Sequence, residues 1–367
     1  MANGKTTHYN LDNIDAENAT LNLIYGERSN GKSYQVKHKK AVLKYINEHR
    51  RFILMRRWKE EITSEKIEQY FADVDVTGLT KGHYNCIIMY KKQLFFASYD
   101  FDNNKTVRGE KIGYVVALNT EQNYAGASYL DVDDIIFEEF MARGQYLPQE
   151  PDKLMNFWST VDRKRGTTKI WMVGNTISRV CPYINEWGLH KIISSQKQGT
   201  IARVELPTGT EDDDGKEITV SLAIEHCKSS GKSSMAIGKH KDMINKGSWQ
   251  SDPQPHLPKS LKEYTSRFSF IFMYQDFKFV CSYLEDNETG DVCWFIKPYD
   301  GEIKDDSIVI SDQVRVSPYW QRNIYDTNFR NPRLNQLFQN FRESNIFYST
   351  DLCGTDFKQV IDFCIRK

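Results

Sequence analysis

The sequence predicts an α/β fold, a mostly parallel sheet in a first domain, followed by a smaller α+β domain. Three observations predict it. A short apolar run, Leu21 to Tyr25, leads through a glycine-bounded loop into a helical pattern. A second apolar run, Ile135 to Phe137, ends in the paired carboxylates Glu138 and Glu139. Beyond about Ser195 the texture changes, and residues 263–367 read as β-rich runs joined by short turns and followed by two helices.

The loop between Leu21 and Tyr34 carries the first chemistry. Gly26, Gly31, Lys32 and Ser33 spell G-x-x-x-x-G-K-S, the P-loop pattern. Tyr34 to Arg50 reads as the helix that follows, with Val36, Leu43 and Ile46 on one face and lysines on most of the other. Glycines let a main chain approach phosphates and take positive φ, while loop N–H groups and the positive helix end attract anions. The candidate cradle for ATP is therefore Gly26, Arg28, Ser29, Asn30, Gly31, Lys32 and Ser33. Lys32 neutralises the β and γ phosphates in such a loop, and the Ser33 hydroxyl ligates Mg²⁺. A second G-K-S, Gly231 to Ser233, has His226 where the first glycine should stand and no apolar strand before it. It reads as decoration of an ordinary helix.

Further along, Phe52 to Met55 is a second short strand closing on Arg56 and Arg57, and Lys59 to Phe71 reads as a helix. Cys86 to Tyr90 and Leu94 to Tyr99 suggest an inserted hairpin, and Tyr114 to Leu118 another buried strand. In Asp133 to Phe140, Glu138 and Glu139 fall at the carboxyl end of a parallel strand, beside the P-loop. There Glu138 would hold Mg²⁺, directly or through water, and Glu139 would polarise the attacking water; the alternative reading is a solvated acidic loop after a buried strand. Asp133 and Asp134 precede the strand and so belong to the other edge of the sheet. Pro151 suits the first turn of a helix whose apolar face is Leu154, Phe157, Trp158 and Val161 and which ends in Arg163, Lys164 and Arg165. Those cations read either as a charged helix end or as an arginine finger for a neighbouring subunit. Lys169 to Val173 is a further strand; Asn175 just beyond it reads equally as a turn former or a γ-phosphate sensor.

Thr208 to Lys216 is an acidic turn or exposed loop, and Ser251 to Pro258, with its three prolines, a linker. Ser269 to Tyr274, Phe277 to Leu284 and Val292 to Ile296 read as antiparallel strands; Arg333 to Arg342 and Asp356 to Ile365 read as helices. The boundaries that follow are 1–195, 196–262 as a linker region, and 263–367, reasonable for 367 residues.

Composition sets the bounds. Forty-nine basic residues balance 49 acidic ones, so no global field announces nucleic acid, and any DNA contact must use segregated charge. The seven cysteines show neither CxxC pairing nor zinc spacing, which reads as reduced thiols. The polar start, MANGKTTHYNLDN, has no signal-peptide core, and no apolar run reaches the length of a membrane span. The expectation is a soluble intracellular protein.

With GERSNGKS at 26–33, FILMRR at 52–57, IIFEEF at 135–140, STVDRKR at 159–165 and GNTISRVCPYI at 174–184, the chain resembles viral DNA-packaging ATPases, terminase-like, of the picovirus or Salasmaviridae small-podophage type. The resemblance runs over most of the chain. It implies a P-loop NTPase of the additional-strand (ASCE) type and a C-terminal domain similar to an RNase H-type nuclease that has lost its catalytic carboxylates. It also implies a homo-oligomeric ring, typically a pentamer, on the portal of an empty procapsid in the host cytoplasm, driving double-stranded DNA inward on ATP hydrolysis. A structural RNA scaffold is an open partner; a membrane is not expected. By motif position Lys32 and Ser33 bind phosphate and Mg²⁺, Glu139 is the catalytic carboxylate, Asn175 the sensor and Arg163 the trans-acting finger. The usual metal carboxylate of the family is Asp, and Glu138 is one methylene longer. Arg28 stands where related large terminases place a finger acting within its own subunit, so Arg28 and Arg163 compete for one role, and a helix end favours Arg163 for the trans contact.

In the C-terminal domain Asp276, Glu285, Asp286 and Asp291 all fall at expected turns, so the domain reads as a nucleic-acid-binding or docking module without cleavage. Two other functions compete with the motor: a true terminase that cuts as well as packages, and an ATP-switched assembly protein. A small-molecule kinase lacks an acceptor-lid signature. Candidate DNA contacts are the cations near Arg56, Arg57, Lys164 and Lys169, each of which reads more readily as a solvated surface charge.

Overall fold

Strands that are apolar on both faces belong in the middle of a sheet covered by helices. The computed structural model describes residues 9–100, 102–124, 126–142, 145–229, 249, 251–313, 315–321, 332–343 and 345–365, and among these such runs build the middle of a nine-stranded sheet. Its strands are β1 (Leu21–Gly26), β2 (Arg51–Arg56), β3 (Cys86–Tyr90), β4 (Gln93–Asp100), β5 (Lys105–Ala117), β6 (Val132–Glu138), β7 (Lys169–Asn175), β8 (Thr200–Glu211) and β9 (Glu217–His226), in the order β3-β4-β5-β2-β6-β7-β1-β9-β8. From β5 to β9 every neighbouring pair is parallel. Antiparallel pairing is confined to the flanks, β3–β4–β5 and β8–β9. Strand β7 lies between β1 and β6, so the additional strand expected of the fold separates the glycine loop from the paired glutamates.

The helix after the glycine loop runs as Lys32–Val36, a π-type stretch Lys37–Leu43 and Lys44–Glu48, closed by His49 in the left-handed region. The region expected as one helix from Lys59 is a 3₁₀ turn, Lys59–Glu61, then a helix, Ser64–Phe71, started by the Thr63 side chain accepting from Lys66 N–H. The helix Glu150–Asp162 has Pro151 in its first turn, as the sequence suggests.

Contacts divide the chain into two units, and neither boundary follows the expected one. Residues 178–191 group with the second unit rather than the first. The expected linker, 196–262, instead supplies β8 and β9 to the main sheet. Leu222, Ala223 and Ile224 are fully buried there because β9 pairs in parallel with β1, Leu21 opposite Leu222 through Tyr25 opposite His226. Only the tip Asp212–Lys216 of the expected acidic loop is a turn, with Asp212 N–H donating to Lys216 O at 2.9 Å. The second G-K-S lies outside the described residues.

The second unit has its own sheet, with strands β10 (Tyr264–Tyr274), β11 (Phe277–Asp286), β12 (Val292–Pro298), β13 (Val309–Ser311), β14 (Trp320–Gln321) and β15 (Ile346–Tyr348). The three expected strands form an antiparallel meander, β10–β11–β12; β13 adds in parallel to β10, and β14 to β13. The strand order is therefore β14-β13-β10-β11-β12, to which β15 adds in parallel beside β12. Helices Pro332–Arg342 and Asp351–Ile365 accompany it, around a core of Phe272, Trp294, Tyr348 and Phe357. Among the described residues no helix is long and apolar enough to cross a membrane.

Candidate functional site

Parallel strands of one sheet end at one edge, and β1, β6 and β7 deliver the glycine loop, the glutamates and Asn175 to the same edge. Two glycines are dictated by geometry. Gly31 caps the helix at φ 97°, a left-handed conformation that resists a side chain. At Gly26 a Cβ would meet Cys227 Cβ at 3.0 Å, because β9 runs directly alongside. Asn30 braces the loop between them, its Oδ1 accepting from Lys32 N–H at 3.2 Å and its carbonyl from Tyr9 N–H at 3.1 Å.

Lys32 is buried, and its ammonium points inward. Nζ donates to the carbonyl of Glu27, to Asn30 Oδ1 at 3.2 Å and to Asn175 Oδ1 at 3.3 Å. Burial pulls this ammonium below the usual lysine range; Cys227, Glu138 and Glu27 pull it back, and Arg28 pushes it further down. Arg28 and Ser29 are exposed on the loop, Ser29 at φ 58°.

Ser33 Oγ donates to Glu138 Oε2 at 2.9 Å, and Tyr70 Oη donates to Glu138 Oε1 at 2.7 Å. Burial pushes the Glu138 carboxyl above the usual range, opposed by the Tyr70 and Ser33 hydroxyls and by Arg56. A serine oxygen beside a carboxylate oxygen is a hard-donor pair that fits Mg²⁺, which is held by few protein ligands and keeps several waters. Lys32 of the phosphate cradle and Ser33 of this donor pair are consecutive on one helix turn, and β6 brings Glu138 to them.

Glu139 behaves differently from its neighbour. Its backbone is left-handed, at φ 58°, its side chain is 64% exposed, and its Oε2 lies 3.7 Å from an Arg56 guanidinium nitrogen. Arg56, Glu61, Lys66, Gln69 and Tyr70 line a pocket that Glu139 shares. The unusual backbone is clamped by Arg57, which donates to the carbonyls of Glu139 at 3.1 Å and Phe140 at 2.7 Å and meets both oxygens of buried Glu150. Arg57 is thus buried in an ion pair and is not a surface DNA contact, contrary to the expectation for it. At Gly174, before Asn175, a Cβ would lie 2.8 Å from the Phe140 ring, so the turn after β6 also packs against β7.

Arg163 lies elsewhere. It ends the helix Glu150–Asp162 at φ 49°, and its guanidinium donates to the carbonyl of Ala127 at 2.9 Å. Arg165 beside it donates to the carbonyls of Leu130 and Val132, at the start of β6. This is the opposite edge of the sheet from Lys32, Ser33, Glu138 and Asn175. Lys164 is exposed, whereas Lys169 is half-buried and donates to Asn18 Oδ1 at 2.8 Å.

Sequence reasoning missed three contributors. Arg56 carried a legible signal, a charge at the carboxyl end of a buried strand. The Arg57–Glu150 clamp and Tyr70 carried none, since both act across 68 or more residues.

In the second unit Asp276 and Asp291 lie between strands as expected, whereas Glu285 and Asp286 end β11 because they pair with Thr265 and Tyr264 of β10. Glu285 pairs with Arg267 at 2.6 Å, Asp286 with Lys259 at 2.9 Å, and Asp291 accepts from Thr289 at 2.8 Å. Burial and then Arg179 hold the half-buried His190 imidazole below its usual range, while Asp276 draws it upward. Among the described residues no group of three or more His, Cys, Asp or Glu is arranged to hold a metal.

The family model described as the podovirus DNA encapsidation protein (Gp16) matches residues 3–252. The DNA packaging protein of Bacillus phage B103 is 30% identical over 177 residues, 46% of this chain and 48% of that protein. The DNA packaging protein of Bacillus phage phi29 is 28% identical over 182 residues, 49% of each. The chain therefore spans about half the length of the curated relatives it matches. A chain of the bacteriophage Phi-29 viral genome packaging motor assembly superposes with a TM-score of 0.56 at 19% identity, covering 98% of this chain and 99% of that one. That likeness is one of fold.

Proposed function

The chain belongs to the podovirus DNA encapsidation protein family, and from that premise we propose that it is an ATP-hydrolysing subunit of a motor that moves double-stranded DNA into a viral procapsid. The observation that carries the reading is the Ser33–Glu138 contact of 2.9 Å beside Lys32 and Asn175 at one sheet edge. Lys32 leaves the Glu27 carbonyl and the two asparagine oxygens to meet the β and γ phosphates. Ser33 and Glu138 would hold Mg²⁺, which when bound would supply charge neutralisation on those phosphates. Glu139, exposed and restrained by Arg56, takes a proton from the attacking water, and Asn175 orients the γ-phosphate side. Arg28, on the loop itself, suits a contact within its own subunit. Arg163, at the far edge, can serve only a neighbour, as a homo-oligomeric ring, typically a pentamer, would allow.

Such a ring sits on the portal of a procapsid in the host cytoplasm, with a structural RNA as an optional scaffold. The first unit is the ATPase, and the second is a nucleic-acid-binding or docking module without cleavage. Sustained ATP turnover stimulated by duplex DNA, weakening as salt rises, is the expected result. Turnover that DNA leaves unchanged would favour the assembly switch, and Mg²⁺- or Mn²⁺-dependent nicking of plasmid would favour a cutting terminase. In mixed rings, Arg163→Ala subunits should complement Lys32→Ala subunits; complementation no better than buffer removes the trans role of Arg163.

A further inference from the structure

The helix Ser64–Phe71 carries Tyr70 into the site from a part of the chain with no motif of its own. Its hydroxyl donates to Glu138 Oε1 at 2.7 Å, while Oε2 of the same carboxylate accepts from Ser33 at 2.9 Å. The phenol is itself fixed by the P-loop helix. Lys37, one turn beyond Ser33, donates to the backbone carbonyl of Tyr70, lies 4.6 Å over its ring and pairs with Asp73. Ser33 and Lys37 thus grip the glutamate and the tyrosine from one helix face.

Glutamate has one more rotatable bond than aspartate, and a carboxylate on a longer stem must be ordered before it can serve a cation. We propose that Tyr70 is a positioning residue: its hydroxyl occupies Oε1 so that Glu138 presents Oε2, beside Ser33 Oγ, to the divalent cation. The longer carboxylate and the tyrosine therefore form one functional unit. This rests on the metal–nucleotide reading of the site given above.

The test uses the full chain and Mn²⁺ binding followed by the electron paramagnetic resonance of free Mn²⁺, with saturating ADP. Metal-free ADP affinity and thermal unfolding are measured in parallel. Tyr70→Phe should weaken Mn²⁺ binding by roughly 10–100-fold, the usual range for losing an outer partner of a metal ligand, with ADP affinity unchanged. In a Glu138→Asp background the carboxylate is too short to reach the phenol, and Tyr70→Phe should add nothing. Should Tyr70→Phe unfold, Lys37→Gln, which releases the tyrosine backbone, should weaken Mn²⁺ in the same direction. Mn²⁺ binding equal to wild type in the folded Tyr70→Phe protein, or an equal loss in the Glu138→Asp background, overturns the proposal. ADP that fails to tighten Mn²⁺ binding in the wild-type chain instead overturns the metal–nucleotide reading itself.

Discussion

Strand β6 carries an acidic pair at each end, and the two pairs live in opposite company. At its start, Asp134 is 1% exposed and saturated by a Lys44 ammonium at 2.6 Å and the Trp171 indole N–H at 2.7 Å. Asp133 beside it takes the Arg50 guanidinium, with Lys44 at 3.8 Å and Arg165 at 3.7 Å. At its far end, among the described residues, Glu138 is met by the hydroxyls of Ser33 and Tyr70, and Glu139 faces the Arg56 guanidinium at 3.7 Å. The first pair is neutralised by the protein's own cations and tightens the fold. The second sets carboxylate oxygens, without a closely paired lysine or arginine among the described residues, at the edge where the glycine loop lies, which is where a cation would be held. Four acids of like type within seven residues are thus sorted by what the opposite ends of a parallel sheet place beside them.

The sharpest way to break this contrast is Glu139→Gln. ATP binding should persist while hydrolysis falls by roughly 10²–10⁴, the usual worth of a general base. A radiolabelled-phosphate assay showing less than tenfold loss would remove Glu139 from the chemistry. The mirror experiment is Asp134→Ala, which strands a half-buried Lys44 and the indole N–H. It should lower stability by about 3 kcal/mol in urea unfolding while leaving turnover per folded molecule unchanged. Lost turnover at full stability would erase the distinction between the two ends. Gly174→Ala pushes a methyl against the Phe140 ring and should cost about 1–3 kcal/mol, with reduced turnover because Phe140 follows Glu139. The smallest effect belongs to an exposed pair in the second unit. The Tyr348 carbonyl, and then Asp351, hold the His256 imidazole above its usual value. Its contribution is complete below the unfolded value of about 6.5 and is lost as pH rises through the folded value. The melting-temperature gap between wild type and His256→Asn should accordingly shrink between pH 6 and pH 8.

Much was legible in residue order because it depends on neighbours in sequence. Gly31 needs φ 97° at a helix start, and Lys32 and Ser33 follow it on the first turn, so the phosphate cradle is a local device that one stretch of chain specifies. Much the same holds for Glu138 and Glu139, since a short apolar run ending in acids reads as a buried strand emerging at a sheet edge. Tertiary structure alone decided the rest. The stretch expected as a linker became β8 and β9 because Leu222 to Ile224 found β1 to pair with, a choice between non-local partners that propensity does not encode. Arg57 reads in sequence like any surface cation, yet Glu150, 93 residues away, buries it as the clamp behind Glu139. Tyr70 reads as one aromatic on a helix, and only folding aims its hydroxyl at a carboxylate 68 residues downstream. Local backbone geometry is written in adjacent residues, whereas which partner a buried polar group meets is settled only when distant strands and helices pack.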